Sequence, residues 1–182
     1  MPVTTFLRTA YLSYFSSPAS DRLIYQTIRR QKVCSILECG IGIGQRTVRM
    51  IEMARLASPG AEIRYAGIDR FEGRTAADGP GVSLKMAHRL LSGAHAKVRL
   101  IPGDAATALA QVANTLSNTD LVVISARQNT PALATAWYYL PRILHPGTEV
   151  LLETSCPGDL NKVRRIPLHE IATFAAAARK VA

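Results

Sequence analysis

Two rhythms of apolar residues alternate along this chain. The first recurs every three to four positions and predicts helices. Phe6, Leu7, Ala10, Tyr11, Tyr14 and Phe15 form such a stripe within 5–16, an aromatic face expected to pack as core or lid. A second helix, capped by Ser20 or Asp21 and running to Arg30, turns Leu23, Ile24, Thr27 and Ile28 inward. Further helices are expected at 45–57, 83–91, 105–116, 131–144 and 167–180. The second rhythm is the short, almost unbroken apolar run of a strand buried on both faces. It occurs at 33–38, 61–69, 97–101, 119–125 and 148–154, with a last short run at 163–166. Helix and strand alternate, and Ser58-Pro59-Gly60, Ser92-Gly93 and His145-Pro146-Gly147 punctuate the helix ends. The pattern predicts an α/β, doubly wound, mostly parallel sheet of about six to seven strands with helices on both faces.

The stretch that organises the rest is Ile36-Leu37-Glu38-Cys39-Gly40-Ile41-Gly42-Ile43-Gly44, followed at once by a helical pattern. Gly40, Gly42 and Gly44 let the backbone turn sharply and approach a ligand with no Cβ in the way. The next helix then aims its free N–H groups and positive dipole end at that turn. This is a nucleotide-type cradle. Its spacing is not that of the dinucleotide fingerprint, because the place of the third glycine falls on Gln45 or Thr47. Asp69 ends the second strand, at the distance where an acid meets a ribose; a plain strand-end turn is the alternative. A carboxylate there can accept from both ribose hydroxyls. Asp104 follows the third strand and can cap the helix that begins at Ala105. In a parallel sheet Glu38, Asp69 and Asp104 share the carboxyl edge, where open α/β sheets bind ligands.

An acid followed by G-x-G-x-G resembles motif I of the class I S-adenosylmethionine-dependent methyltransferases. The resemblance covers 33–154 and includes Leu144-His145-Pro146-Gly147 ahead of an apolar strand. It implies S-adenosylmethionine as cofactor. Gly40, Gly42 and Gly44 would pass under its methionine part, and Glu38 would organise the loop and the amino group. Asp69 would hold the ribose, with Asp104 and Ala105 at the adenine ring. The C-terminal hairpin of the family's sheet is shortened, since only about one further strand fits after 154. Ser125-Ala126-Arg127-Gln128-Asn129 departs from the family's reactive segments: it is not Asn-Pro-Pro-Tyr, no acid follows Ile124, and no Pro-Cys pair is present. No catalytic residue is assigned. Cys156 beyond the fifth strand is a remote nucleophile candidate, His88 and His95 read as surface residues, and His145 as a helix-end residue.

Composition narrows the classes. At 182 residues one methyltransferase-like domain is expected, with 1–31 a helical cap and 32–182 the α/β core. No run approaches the ~18 apolar residues of a membrane helix, and the start lacks a secretory pattern. Cys34, Cys39 and Cys156 lack C-x-x-C spacing, so reduced thiols, no metal site and a cytoplasmic location are expected. A formal charge of +9 invites a polyanion, but the arginines are spread along the chain without aromatic-basic interleaving. The expected acceptor is a small molecule in preference to RNA. A shortened sheet leaves an edge that a homodimer could cover. The alternatives are a degenerate methyltransferase-like binding protein and a nicotinamide-dependent oxidoreductase, the latter disfavoured by Gln45 and Thr47.

Overall fold

A computed structural model describes residues 3–128, 131–155 and 161–179. Its centre is a six-stranded sheet of order β3-β2-β1-β4-β5-β6. The strands are β1 (Ser35–Cys39), β2 (Arg64–Asp69), β3 (Lys97–Pro102), β4 (Leu121–Ile124), β5 (Glu149–Thr154) and β6 (Lys162–Ile166). The first five pair in parallel, and β6 lies antiparallel against β5. Among the described residues a single antiparallel strand, β6, follows β5 and forms that edge of the sheet, where a shortened hairpin was expected.

The apolar runs are unbroken because successive side chains of a central strand enter different cores. In β4, Leu121 and Val123 join Ile36, Tyr65 and Leu151 on one face. Val122 and Ile124 join Leu37, Ile68 and Val150 on the other. The first face is covered by α2 (Arg22–Gln31), α3 (Gln45–Ala57) and Leu91 of α4 (Leu84–Leu91). The second is covered by α5 (Ala105–Val112), α6 (Pro131–Ala136) and α7 (Leu168–Ala178). No described helix is long and apolar enough to cross a membrane.

Three local expectations are corrected. The helix expected over 131–144 ends at Ala136 as α6. Pro141 can neither donate a backbone N–H nor tolerate the carbonyl one turn back, so the chain continues as turns to Arg142. Trp137, Leu140 and Ile143 still reach the core, and Trp137 packs on Phe174 of α7 with ring centroids 5.0 Å apart. The aromatic stripe of the first helix faces outward. In α1 (Val3–Ala10) and the wider π turn that follows at Tyr11–Phe15, the buried residues are Thr9, Leu12 and Ser13, while Phe6, Tyr11, Tyr14 and Phe15 are exposed. The π turn is tied to α2, where Gln26 donates to the Ser13 carbonyl (2.8 Å), and Leu12 enters the core there. Lastly, neither Ser20 nor Asp21 caps α2 through its side chain; the Asp21 carboxylate turns instead into the site described next.

Candidate functional site

At the carboxyl end of β1 the chain passes through Gly40, Gly42 and Gly44 with φ of 94°, 62° and 80°, and enters α3. These are left-handed values that L side chains rarely adopt. Gly40 is constrained twice over, since a Cβ there would meet Ser125 Cβ at 2.8 Å and Gln128 Cγ at 3.0 Å. Its N–H donates to the Ile68 carbonyl (2.8 Å), which fixes the loop to the end of β2.

Glu38 lies beneath this loop with no exposed surface. Its carboxylate accepts from Thr47 Oγ1 (2.6 Å), Tyr65 Oη (2.7 Å) and Arg46 Nε (2.9 Å). Tyr65 can reach because Gly67, two residues on along the same face, has no side chain; a Cβ there would lie 2.6 Å from Tyr65 Oη. Burial, then the adjacent Glu38 charge, pushes the Tyr65 hydroxyl well above its ordinary pKa, so it acts as a fixed donor. The same two causes push the Cys39 thiol up to about 12, which makes it inert as a nucleophile.

Arg46 is the hub of the site. Its guanidinium donates to Glu38, to Glu153 Oε2 (3.0 Å) and to the Gly40 carbonyl (3.2 Å), with Asp21 Oδ1 at 3.8 Å. Burial alone would lower its pKa, but the charges of Glu38, Glu153 and Asp21 hold it above the ordinary value. Glu153 is also buried, yet Arg46, the Ala126 N–H and Asn161 keep its carboxyl below the usual range.

Asp69 ends β2 and is 2% exposed. Its Oδ1 accepts from the Phe71 N–H (3.1 Å) and Arg74 Nε (2.7 Å). Oδ2 accepts from the Gly42 N–H (3.1 Å) and, by a short contact, from Arg74 Nη2. Both lone pairs of each oxygen are therefore engaged. Arg74 arrives from the 70–82 loop, where its Nη1 also donates to the carbonyls of Asp78 (3.1 Å) and Pro80 (3.2 Å). Arg127, after β4, donates to the same Asp78 carbonyl (3.1 Å) and holds the loop across the sheet edge.

Asp104 caps α5, accepting from the Ala106 and Thr107 N–H groups at 3.0 Å each and from Thr107 Oγ1 (2.9 Å). Burial alone would raise its carboxyl, but these bonds bring it below the usual range. Ala105 is buried beneath it.

A cavity of about 250 Å³ opens above the glycine loop, lined among others by Asp21, Gly40, Gly42, Arg46, Arg74 and Glu153. Of the residues singled out in the sequence, Gly40 and Gly42 line it, and Glu38 and Asp69 brace its floor. Gly44, Asp104 and Ala105 lie outside it. Asn129 and Cys156 fall outside the described residues. Arg46, Arg74, Asp21 and Glu153 were not anticipated. Glu153 carried the same signal as the other strand-end acids. Arg46 carried a subtler one: a cation in the first turn of a helix opposes the dipole and needs an acid nearby.

Among the described residues, Asp21 has only Tyr25 Oη at 3.5 Å and the distant Arg46 as partners. Burial raises its pKa to about 6; Glu153 and Glu38 add to the rise and Arg46 opposes it. The folded state thus holds this proton more tightly than the unfolded chain, so stability is lost as pH rises from about 4 to 6 and stays lost above. Asp21→Asn is expected to remove that loss and raise the unfolding free energy at pH 7 by up to roughly 3 kcal/mol, read as a higher urea midpoint. At pH 4 the variant and wild type should coincide.

No protein-family model matches the sequence, and no curated protein matches it. Solved structures do match in fold. An O-methyltransferase from Bacillus cereus in complex with SAH aligns over 98% of this chain and 76% of its own, at TM-score 0.56 and 16% identity. The O-methyltransferase TomG from Streptomyces achromogenes, involved in tomaymycin synthesis and in complex with SAM, aligns over 97% of this chain and 76% of its own, at TM-score 0.54 and 15% identity. A TehB-like SAM-dependent methyltransferase from Corynebacterium glutamicum aligns over 98% and 84%, at TM-score 0.51 and 11% identity. The fold is the class I methyltransferase fold.

Proposed function

We propose that the protein binds S-adenosylmethionine over the glycine loop and is a methyltransferase for a small-molecule acceptor. The observation that carries the reading is the loop itself: three alternating left-handed glycines lead directly into α3, and the first two, Gly40 and Gly42, line a cavity in this fold. A ligand can approach the backbone of Gly40 and Gly42 there without side chains between, and Asp69 and Asp104 stand at the ends of the next two strands. Bound S-adenosylmethionine supplies a methyl group on sulfonium, open to in-line attack by a nucleophile, and the protein's part is chiefly alignment. Glu38 and Arg46 hold the loop from below. Among the described acids that line the cavity, Asp78 and Glu153 have carboxyls held below the usual range, while Asp21 alone is raised toward neutrality. Asp21 is the group placed to take the proton that a hydroxyl or amine acceptor releases.

One observation favours a second reading, a cofactor-binding protein that transfers nothing. The carboxylate of Asp69 and the carbonyl of Gly40 are already engaged by Arg74 and Arg46. Equilibrium dialysis with radiolabelled S-adenosylmethionine separates these cases from a bare scaffold. Uptake displaced by S-adenosylhomocysteine, but not by NAD, and lost in Asp69→Ala is the expected result. No uptake would overturn both readings.

A further inference from the structure

We infer that Arg74 is a built-in occupant of the ribose subsite, standing where two ribose hydroxyls would bond, so that an adenosyl ligand must displace it to bind. The inference rests on the proposal above that this edge takes an adenosyl ligand.

Counting acceptors makes the case. A carboxylate offers about four lone-pair positions. Those of Asp69 go to the Phe71 and Gly42 N–H groups and to the two fork nitrogens of Arg74. The backbone donors belong to the fold, since one starts the turn after β2 and the other lies in the glycine loop. Only the two bonds from Arg74 can be given up. They are also the pair that matches a ribose, because both present two adjacent donors to the two oxygens of one carboxylate. The cavity agrees with this assignment: Arg74 lines it and Asp69 does not, so the space ends at the guanidinium.

Arg74 is not a chance surface contact. Its side chain is 12% exposed. The carbonyls of Asp78, Gly79 and Pro80 hold its Nη1, and Arg127 holds the Asp78 carbonyl from the opposite side. Gly81 leaves room for it, since a Cβ there would lie 2.3 Å from Arg74 Nε. The 70–82 loop therefore presents the guanidinium to Asp69 and lacks side chains where the arginine must pass. The fork can release Asp69 while Nη1 keeps its carbonyls, so displacement requires a change at the tip of one side chain. Occupancy by Arg74 lowers the fraction of protein competent to bind, and apparent affinity falls by that fraction.

The test is calorimetric titration of the full chain with S-adenosylhomocysteine for wild type, Arg74→Met and Arg74→Lys. Met keeps the stem without donors. Lys keeps the charge that balances Asp69, and so preserves folding, but cannot make the fork. The expected result is binding at least about tenfold tighter in Arg74→Met and an intermediate gain in Arg74→Lys. The ligand-induced rise in melting temperature should also be larger in both variants than in wild type. Equal affinities, or weaker binding in folded Arg74→Lys, would overturn the inference while leaving the ligand assignment intact. Absence of binding to all three folded proteins would overturn the inference together with the ligand assignment.

Discussion

Replacing Arg46 by Met is expected to cost the protein about 3–5 kcal/mol at neutral pH, the largest single effect in the molecule. Glu38 and Glu153 are 0% and 5% exposed, Asp21 is 4% exposed, and among the described residues Arg46 is the only cation that reaches all three. With Met in its place, three carboxylates share one buried site without compensation. The protein then either ionises them at high electrostatic cost or protonates them. This gives the prediction a second signature. In the variant the folded state binds protons more tightly than the unfolded chain, so the loss shrinks as pH falls from 7 toward 5. Urea midpoints measured across that range check both the size and the slope. Arg46→Lys keeps the charge but cannot span Glu38, Glu153 and the Gly40 carbonyl together, and should recover part of the loss. A loss below about 1 kcal/mol, flat with pH, would mean that the cluster is not held as described.

The second large effect belongs to Gly40→Ala. The backbone there has φ of 94°, and a methyl group would lie 2.8 Å from Ser125 Cβ, well inside contact distance. Left-handed backbone costs an L residue on the order of 1–2 kcal/mol, and relief of the clash must push the glycine loop away from the segment after β4. A total of about 2–4 kcal/mol is expected, together with loss of S-adenosylhomocysteine binding even at temperatures where the variant is fully folded. Gly60→Ala is the control. It has a similar φ of 82° but nothing within 4 Å of the added Cβ, so it should show only the backbone cost and leave binding unchanged.

These two residues mark the boundary between what the sequence discloses and what it withholds. Gly40 was legible, because glycine alternation after an apolar run has few other uses, and the acids at 38, 69 and 104 marked one edge of a parallel sheet. The alternation of β4 between two cores was legible as an unbroken apolar run. Arg46 and Arg74 were not, since an ion pair is chosen by tertiary approach and arginines are spread throughout this chain. Arg74 meets Asp69 only because the 70–82 loop folds back over the sheet edge, and no periodicity describes that loop. The same limit misassigned the first helix. Its aromatic stripe has the spacing of a buried face, but the residues that turn inward are Thr9, Leu12 and Ser13 instead. Pro141 was visible in the sequence and should have shortened α6, whose apolar residues continue past the helix because turns can bury side chains as well as helices do.

The glycine loop and the strand-end acids, on the proposed function, hold an adenosyl ligand. The most direct measurement is a ¹H–¹⁵N correlation spectrum of the labelled protein during titration with S-adenosylhomocysteine. Shifts are expected at the Gly40, Gly42 and Gly44 amides, at Phe71 beside Asp69, and at the start of α5, with the amides of α7 unmoved. A titration that leaves the three glycines in place would contradict the proposed function.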